Sequence, residues 1–172
     1  EVDDYKAGKP PEWAYKRARL AALLQMTYVG APMIYYGDEV GLWGSDDPNN
    51  RKPMLWEDLQ PYDEAGMAVM PTHFEFFRRV IAVRSAYPAL RRGSIETVLT
   101  DDEQDVWVFL RKFEGQEVLV ALNAGEADAV VTLPSTFGID WKRVLVEPEQ
   151  MDASWPTINV PAVGGVVWVN GK

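Results

Sequence analysis

Apolar positions recur along this chain with two different periods, and the change from one to the other falls near residue 92. In PEWAYKRARLAALLQMTYVG, Ala14, Ala18, Ala21, Leu24 and Tyr28 keep helical spacing, with Pro11 at the start and Gly30 at the stop. That pattern predicts a helix over 11–29. A second helix is expected from Thr72, where T-H-F-E sets Glu75 three residues after a threonine cap. Phe74, Phe77, Ile81 and Arg84, flanked by Phe76, Val80, Val83 and Tyr87, give it a wide apolar side, and Pro88 ends it.

Between the two helices, APMIYY is short, apolar and bounded by Gly30 and Gly37. It reads as a strand buried on both faces, and the order helix, tight turn, buried strand belongs to a parallel α/β layer. The loop from about 40 to 71 is too long for a plain connection; Trp43, Met54, Leu55, Trp56 and Met67 argue that it is ordered. Beyond 92, IETVLT, VWVFLRK, EVLVALN, AVVTL, KRVLVE, TINVP and GVVWV are short β-rich runs separated by turns such as FEGQ and NAGEAD. Strands at that spacing predict an antiparallel sandwich, with the boundary between Arg91 and Gly93. The expected organisation is therefore an α/β portion over 1–91 and an all-β portion over 92–172, α+β as a whole.

Composition narrows the function. With 47% apolar and 12% aromatic residues in 172, the chain can bury a core. A formal charge of −9 disfavours nucleic acid. The five arginines between Arg78 and Arg92 read as the wet face of a helix and the turn after it. No apolar run is long enough to span a bilayer. The absence of cysteine excludes disulfides and thiolate chemistry and leans toward a cytoplasmic setting. His73, the single histidine, has no second imidazole to share a metal and reads as structural or solvent-facing. The opening EVDDYK, without an initiator methionine, reads as a cut end.

Asp38 and Glu39 are candidates for acid/base work, but neighbours on an extended segment point to opposite faces and cannot flank one scissile bond. Capping nearby amides or pairing with arginines is the plainer role. In DDPNNRKPM, Asp47 precedes a proline and Arg51 offers a planar donor fork. The pair suits either sugar hydroxyls or a structural turn held by an ion pair. Trp43 and Trp56 could stack on a sugar or anchor the loop, and Trp107 with Phe109 could face a ligand or the core. No nucleophile elbow, Walker loop, dinucleotide fingerprint or metal-ligand spacing is present.

LAALLQMTYVGAPMIYYGDEVGLWGSDDPNNRKPMLW resembles the stretch around the eighth barrel strand of glycoside hydrolase family 13, the α-amylase family. It is most similar to the branch of cyclomaltodextrinases, neopullulanases and maltogenic amylases. In that branch Q-M-T-Y-x-G-x-P-x-I-Y-Y-G-D-E-x-G runs into D-P-x-x-R-x-P-M-x-W, and every fixed position is matched from Gln25 to Gly41 and from Asp47 to Trp56. Arg84, Pro88, Ala89, Leu90 and Gly93 match the family's R-x-x-x-P-A-L-x-x-G exit from the last barrel helix.

The resemblance implies the final helix, strand and helix of a (β/α)8 barrel followed by the family's antiparallel C-terminal domain. It implies a retaining glycosidase parent that takes α-glucans or maltooligosaccharides, cleaves α-1,4 bonds, with α-1,6 bonds a further candidate, and uses no cofactor. The family's three catalytic carboxylates precede this stretch, so no catalytic residue is assigned here and the chain alone is expected to be inactive. Asp47 and Arg51 match positions that contact donor-side glucose; Tyr36, Gly37, Asp38 and Glu39 match the floor of the active site. A carbohydrate-binding module and a non-catalytic interaction homologue stand as the alternatives. A lone barrel strand leaves unpaired edges, so residues 11–60 are expected to be poorly ordered, to fold back on the sandwich, or to self-associate between chains.

Overall fold

The computed structural model describes residues 8–44, 47, 50–63, 65–148 and 155–171. The polar opening at 1–7 and Pro48 of the Asp-Pro motif lie outside the described residues. Helix α1 (Glu12–Thr27) is followed by an extended segment, a 3-10 turn (Asp38–Val40), a loop with a second 3-10 turn (Glu57–Leu59), and helices α2 (Pro71–Ala86) and α3 (Pro88–Arg92). Among the described residues seven strands follow: β1 (Ser94–Asp101), β2 (Val106–Phe113), β3 (Gln116–Asn123), β4 (Ala129–Thr132), β5 (Lys142–Glu147), β6 (Thr157–Val160) and β7 (Gly164–Asn170). They form an antiparallel five-stranded sheet in the order β1-β2-β3-β7-β5 and a two-stranded sheet of β4 and β6. The mixed helical and antiparallel class read from the sequence is the class observed, and each of the seven β-rich runs is a strand.

Alternation along β3 and β7 assigns their side chains to two cores. Val118, Val120, Leu122, Val167 and Val169 face the helices and pack with Leu23, Met26, Phe76, Phe77, Val80 and Leu90. Leu119, Ala121, Val166 and Trp168 face the small sheet and pack with Ala129, Val131, Trp141, Ile158 and Val160. Helix α1 comes close enough that a Cβ on Gly165 would lie 2.8 Å from Leu23 Cδ2 and 2.7 Å from the Ala121 carbonyl oxygen, so only glycine fits there. Glu147, at the end of β5, joins the helices to the sheet: its carboxylate meets Arg19 of α1 at 2.8 Å and Arg79 of α2 at 3.0 Å.

Several expectations from the sequence are corrected. Residues 31–36 are extended but belong to no sheet, and they are not buried: Met33 is 70% exposed. A parallel strand needs neighbours to hydrogen-bond and to cover its faces, and the described residues contain none. Ala18 and Ala21, on the face of α1 expected to pack, are exposed; Tyr15, Ala22, Leu23, Met26 and Thr27 are buried instead, because the five-stranded sheet lies against the side of Leu23 and Met26. The capping box at Thr72 does not form. The helix starts at Pro71, whose missing amide suits the first turn, and Glu75 pairs with Arg78 at 3.0 Å.

The arginines are also not uniformly wet. Helix α1 ends at Thr27 and the chain leaves in an extended conformation, which orphans its last carbonyls. Arg84 donates to the carbonyls of Met26 (2.7 Å), Tyr28 (3.2 Å) and Gly30 (2.6 Å). Arg111, 1% exposed, donates to Thr27 (2.5 Å), Gly93 (3.0 Å) and Ser94 (2.9 Å). Burial, first, and then a neighbouring guanidinium pull both pKa values below the usual arginine range, while the negative end of the helix dipole favours the charge. Arg111→Met keeps the stem but orphans three carbonyls. It is expected to lower unfolding free energy by about 3 kcal/mol, seen as a lower urea midpoint with an unchanged slope.

Candidate functional site

The extended segment turns sharply at Gly37, whose φ of 94° no other residue type adopts cheaply, and enters the Asp38–Val40 turn. The loop beyond it is closed at its base by the Met70 amide bonding to the Val40 carbonyl at 3.0 Å. Asp38 and Glu39 therefore sit on a 3-10 turn rather than at a strand end. Glu39 accepts the Gly37 amide at 2.9 Å. Asp38 is open to solvent on one side, yet packing around its carboxyl, and to a lesser degree the charge of Glu39, raises its pKa against the opposing pull of the Tyr35 amide.

Beneath the turn lies a brace. Tyr15 donates its hydroxyl to the Gly41 carbonyl at 3.1 Å, and His73, 2% exposed, meets the Asp38 carbonyl through Nε2 at 2.9 Å. Nε2 is then the protonated nitrogen, leaving Nδ1 buried without a partner. His73 also packs edge-on to Tyr15 (5.6 Å between centroids) and against Phe77 (5.2 Å). A cavity of about 300 Å³ opens beside this brace, lined by Ala18, Gln25, Met33, Ile34, Asp38 and His73 among others. Burial lowers the His73 pKa, outweighing the favourable bond to Asp38.

Tyr36 and Asp38 line a shallow cleft of about 190 Å³ with Tyr35, Trp43, Asn50 and Lys52. Tyr36 donates its hydroxyl to the Lys52 carbonyl at 2.9 Å, and the Lys52 ammonium lies 3.7 Å over the Trp43 ring. Trp43 is buried and anchors the loop, whereas Trp56 stands 59% exposed. Asp47 and Arg51 pair with each other at 3.2 Å on the exposed loop, so the planar donor fork faces solvent with its carboxylate partner. The structure thus groups Tyr36 with Asp38 around the cleft, turns Glu39 inward onto Gly37, and sets Asp47 and Arg51 apart as a pair. Sequence reasoning overlooked Lys52 and Asn50, which carry no spacing signal, and could not choose for His73 between burial and exposure.

This architecture is a helix-covered antiparallel sandwich with a polar loop held at its rim, and it recurs as a small part of much larger glycan-acting enzymes. No family model matches the chain. Neopullulanase 2 from Thermoactinomyces vulgaris is 38% identical over 133 residues, covering 76% of this chain and 21% of that protein. A cyclomaltodextrinase from Geobacillus thermopakistaniensis is 30% identical over 155 residues, covering 89% and 25% respectively. The acarbose-soaked debranching enzyme of Nostoc punctiforme superposes with a TM-score of 0.69 at 26% identity, over 90% of this chain and 29% of that one. The chain belongs to glycoside hydrolase family 13, the α-amylase family. It spans only about a fifth to a quarter of the length of these curated relatives.

His73 supplies a pH test. A depressed folded pKa means that the unfolded chain binds the proton more readily, so stability is full above the ordinary value of 6.5 and falls as pH drops through it. Asp38, with a raised pKa, acts with the opposite sign and only nearer the ordinary carboxylate range. Denaturation midpoints should therefore decline between neutral pH and about pH 5.5, and His73→Gln should flatten that decline.

Proposed function

We propose that the chain is the carboxyl-terminal segment of an α-glucan-acting retaining glycosidase, comprising the last elements of its barrel over 1–91 and its C-terminal sandwich over 92–172. In this reading the catalytic carboxylates lie outside these residues. Asp47 and Arg51 contact donor-side glucose, and Tyr36, Gly37, Asp38 and Glu39 support the floor of the site. The substrate is an α-glucan or maltooligosaccharide cut at α-1,4 bonds, with α-1,6 bonds a second candidate.

One observation carries the reading: residues 31–36 are apolar and extended, yet among the described residues no strand lies beside them. Met33, Tyr35 and Tyr36 stand exposed on one rim of the molecule, which is the form of a strand whose neighbours come from elsewhere in a longer protein. The Asp47–Arg51 pair lies solvent-open in the loop that follows, able to trade its partner for sugar hydroxyls, since exposed ion pairs contribute little stability. Neither acid of the turn meets the requirement of glycoside hydrolysis for two carboxylates facing each other across the bond, because Glu39 is committed to the Gly37 amide.

A free-standing sugar-binding module built on Trp107 and Phe109 is not favoured. Phe109 is fully buried against the helices, and Trp107 packs on the same core with Tyr28 and Phe109.

The purified chain should release no reducing sugar from maltoheptaose or a cyclomaltodextrin. In the complete protein, Asp47→Ala and Arg51→Ala should raise KM for maltooligosaccharides by about tenfold while changing kcat less. Hydrolysis by the 172 residues alone, unaffected by either substitution, would overturn the proposal.

A further inference from the structure

The sheet face that carries the second core is not covered along its whole length. Register sets Lys112 of β2 opposite Glu117 of β3, and Glu117 opposite Asn170 of β7. By two-residue alternation these three share a face with Leu110, Leu119 and Trp168, so a polar row continues the apolar floor. Lys112 Nζ also meets Glu96 Oε2 of β1 at 3.1 Å, which carries the row across four strands. The segment 134–141 stands over this row and contributes Phe137 and Trp141. Row and wall together enclose a cleft of about 440 Å³, within the size range of small-molecule sites.

The wall is rigid. Trp141 stacks on Trp155 with centroids 5.0 Å apart, Phe137 lies 5.8 Å from Trp141, and Trp155 donates its indole N–H to the Gly138 carbonyl at 2.5 Å. Phe137 keeps part of its ring open to the cleft side of the loop. Trp141 lines the same cleft from the other end of the segment.

The charges decide the occupant. An anion would meet Glu96 and Glu117, a cation would meet Lys112, and an apolar molecule would strand all four polar side chains. A neutral polyhydroxyl chain satisfies the row, because hydroxyls both donate and accept, and its ring faces suit an aromatic wall. We propose that this cleft is a carbohydrate site separate from the Tyr36–Arg51 region, binding a segment of neutral oligosaccharide. Phe137 packs on a sugar ring, and Glu96, Lys112, Glu117 and Asn170 engage its hydroxyls. The expectation that the oligosaccharide is an α-glucan rests on the function proposed above; the cleft itself does not.

The test is titration of the 172-residue chain with maltoheptaose, and separately with cellopentaose, through the millimolar range, read by the indole N–H resonances of Trp141 and Trp168 and the side-chain amide of Asn170. Maltoheptaose should shift these signals. Glu117→Gln and Asn170→Ala should each weaken binding about tenfold. Unperturbed backbone spectra of Glu117→Gln, a near-isosteric change, separate loss of binding from loss of fold. Shifts with cellopentaose alone would support the cleft and count against the α-glucan reading. No shift with either sugar, or binding that survives both cleft substitutions, would overturn the site.

Discussion

Everything in this molecule depends on a sheet with two apolar faces. In β3 and β7 successive residues are buried on opposite sides, Val118 and Val120 toward the helices and Leu119 and Ala121 toward the small sheet. Neither side can face water, since each large aliphatic side chain left exposed forfeits about 2 kcal/mol. The helices α1, α2 and α3 cover one side. The pair β4 and β6, extended by Trp141 and Trp155, covers the other, and the polar row of Glu96, Lys112, Glu117 and Asn170 begins where that second cover stops.

That demand explains the termination of α1. The helix lies on the sheet through Leu23 and Met26 and then leaves abruptly, so its last carbonyls point into a region with little water. Two arginines distant in sequence, Arg84 from α2 and Arg111 from β2, supply the missing donors. Their forks suit the task because one guanidinium serves two or three carbonyls at once. Together with the Glu147 contacts to Arg19 and Arg79, they hold helices and sheet in one arrangement. From this fixed base the chain runs out through residues 31–36 to the Gly37 turn, the His73 brace and the Asp47–Arg51 loop.

The β portion was legible because its strands announce themselves: two-residue alternation between turn-rich segments leaves few alternatives, and all seven runs pair as strands. The two long helices were legible through the helical spacing of their apolar residues. What the sequence concealed depends on partners. Ala18 and Ala21 carry the small, helix-spaced signature of a packed face, but the sheet on offer lies on the side of Leu23. APMIYY has the composition of a buried strand and, among the described residues, has no strand to join. The roles of Arg84 and Arg111 follow from which carbonyls the fold orphans, and no local pattern states that. At the candidate site, the Gly-Asp-Glu turn and the Asp-Pro-x-x-Arg segment stood out through their resemblance to a family, while Lys52, Asn50 and the burial of His73 became visible only through their neighbours.

Native-state hydrogen exchange tests most directly whether the two-faced sheet makes helices and sandwich one cooperative body. Amides in the middle of α1 and α2 should exchange with opening free energies within about 1 kcal/mol of those in β3 and β7, while amides of residues 31–36 exchange near the intrinsic rate. Exchange of α1 and α2 several kcal/mol more easily than the sheet would contradict this account, because it would show that the sheet holds its fold without the face the helices cover.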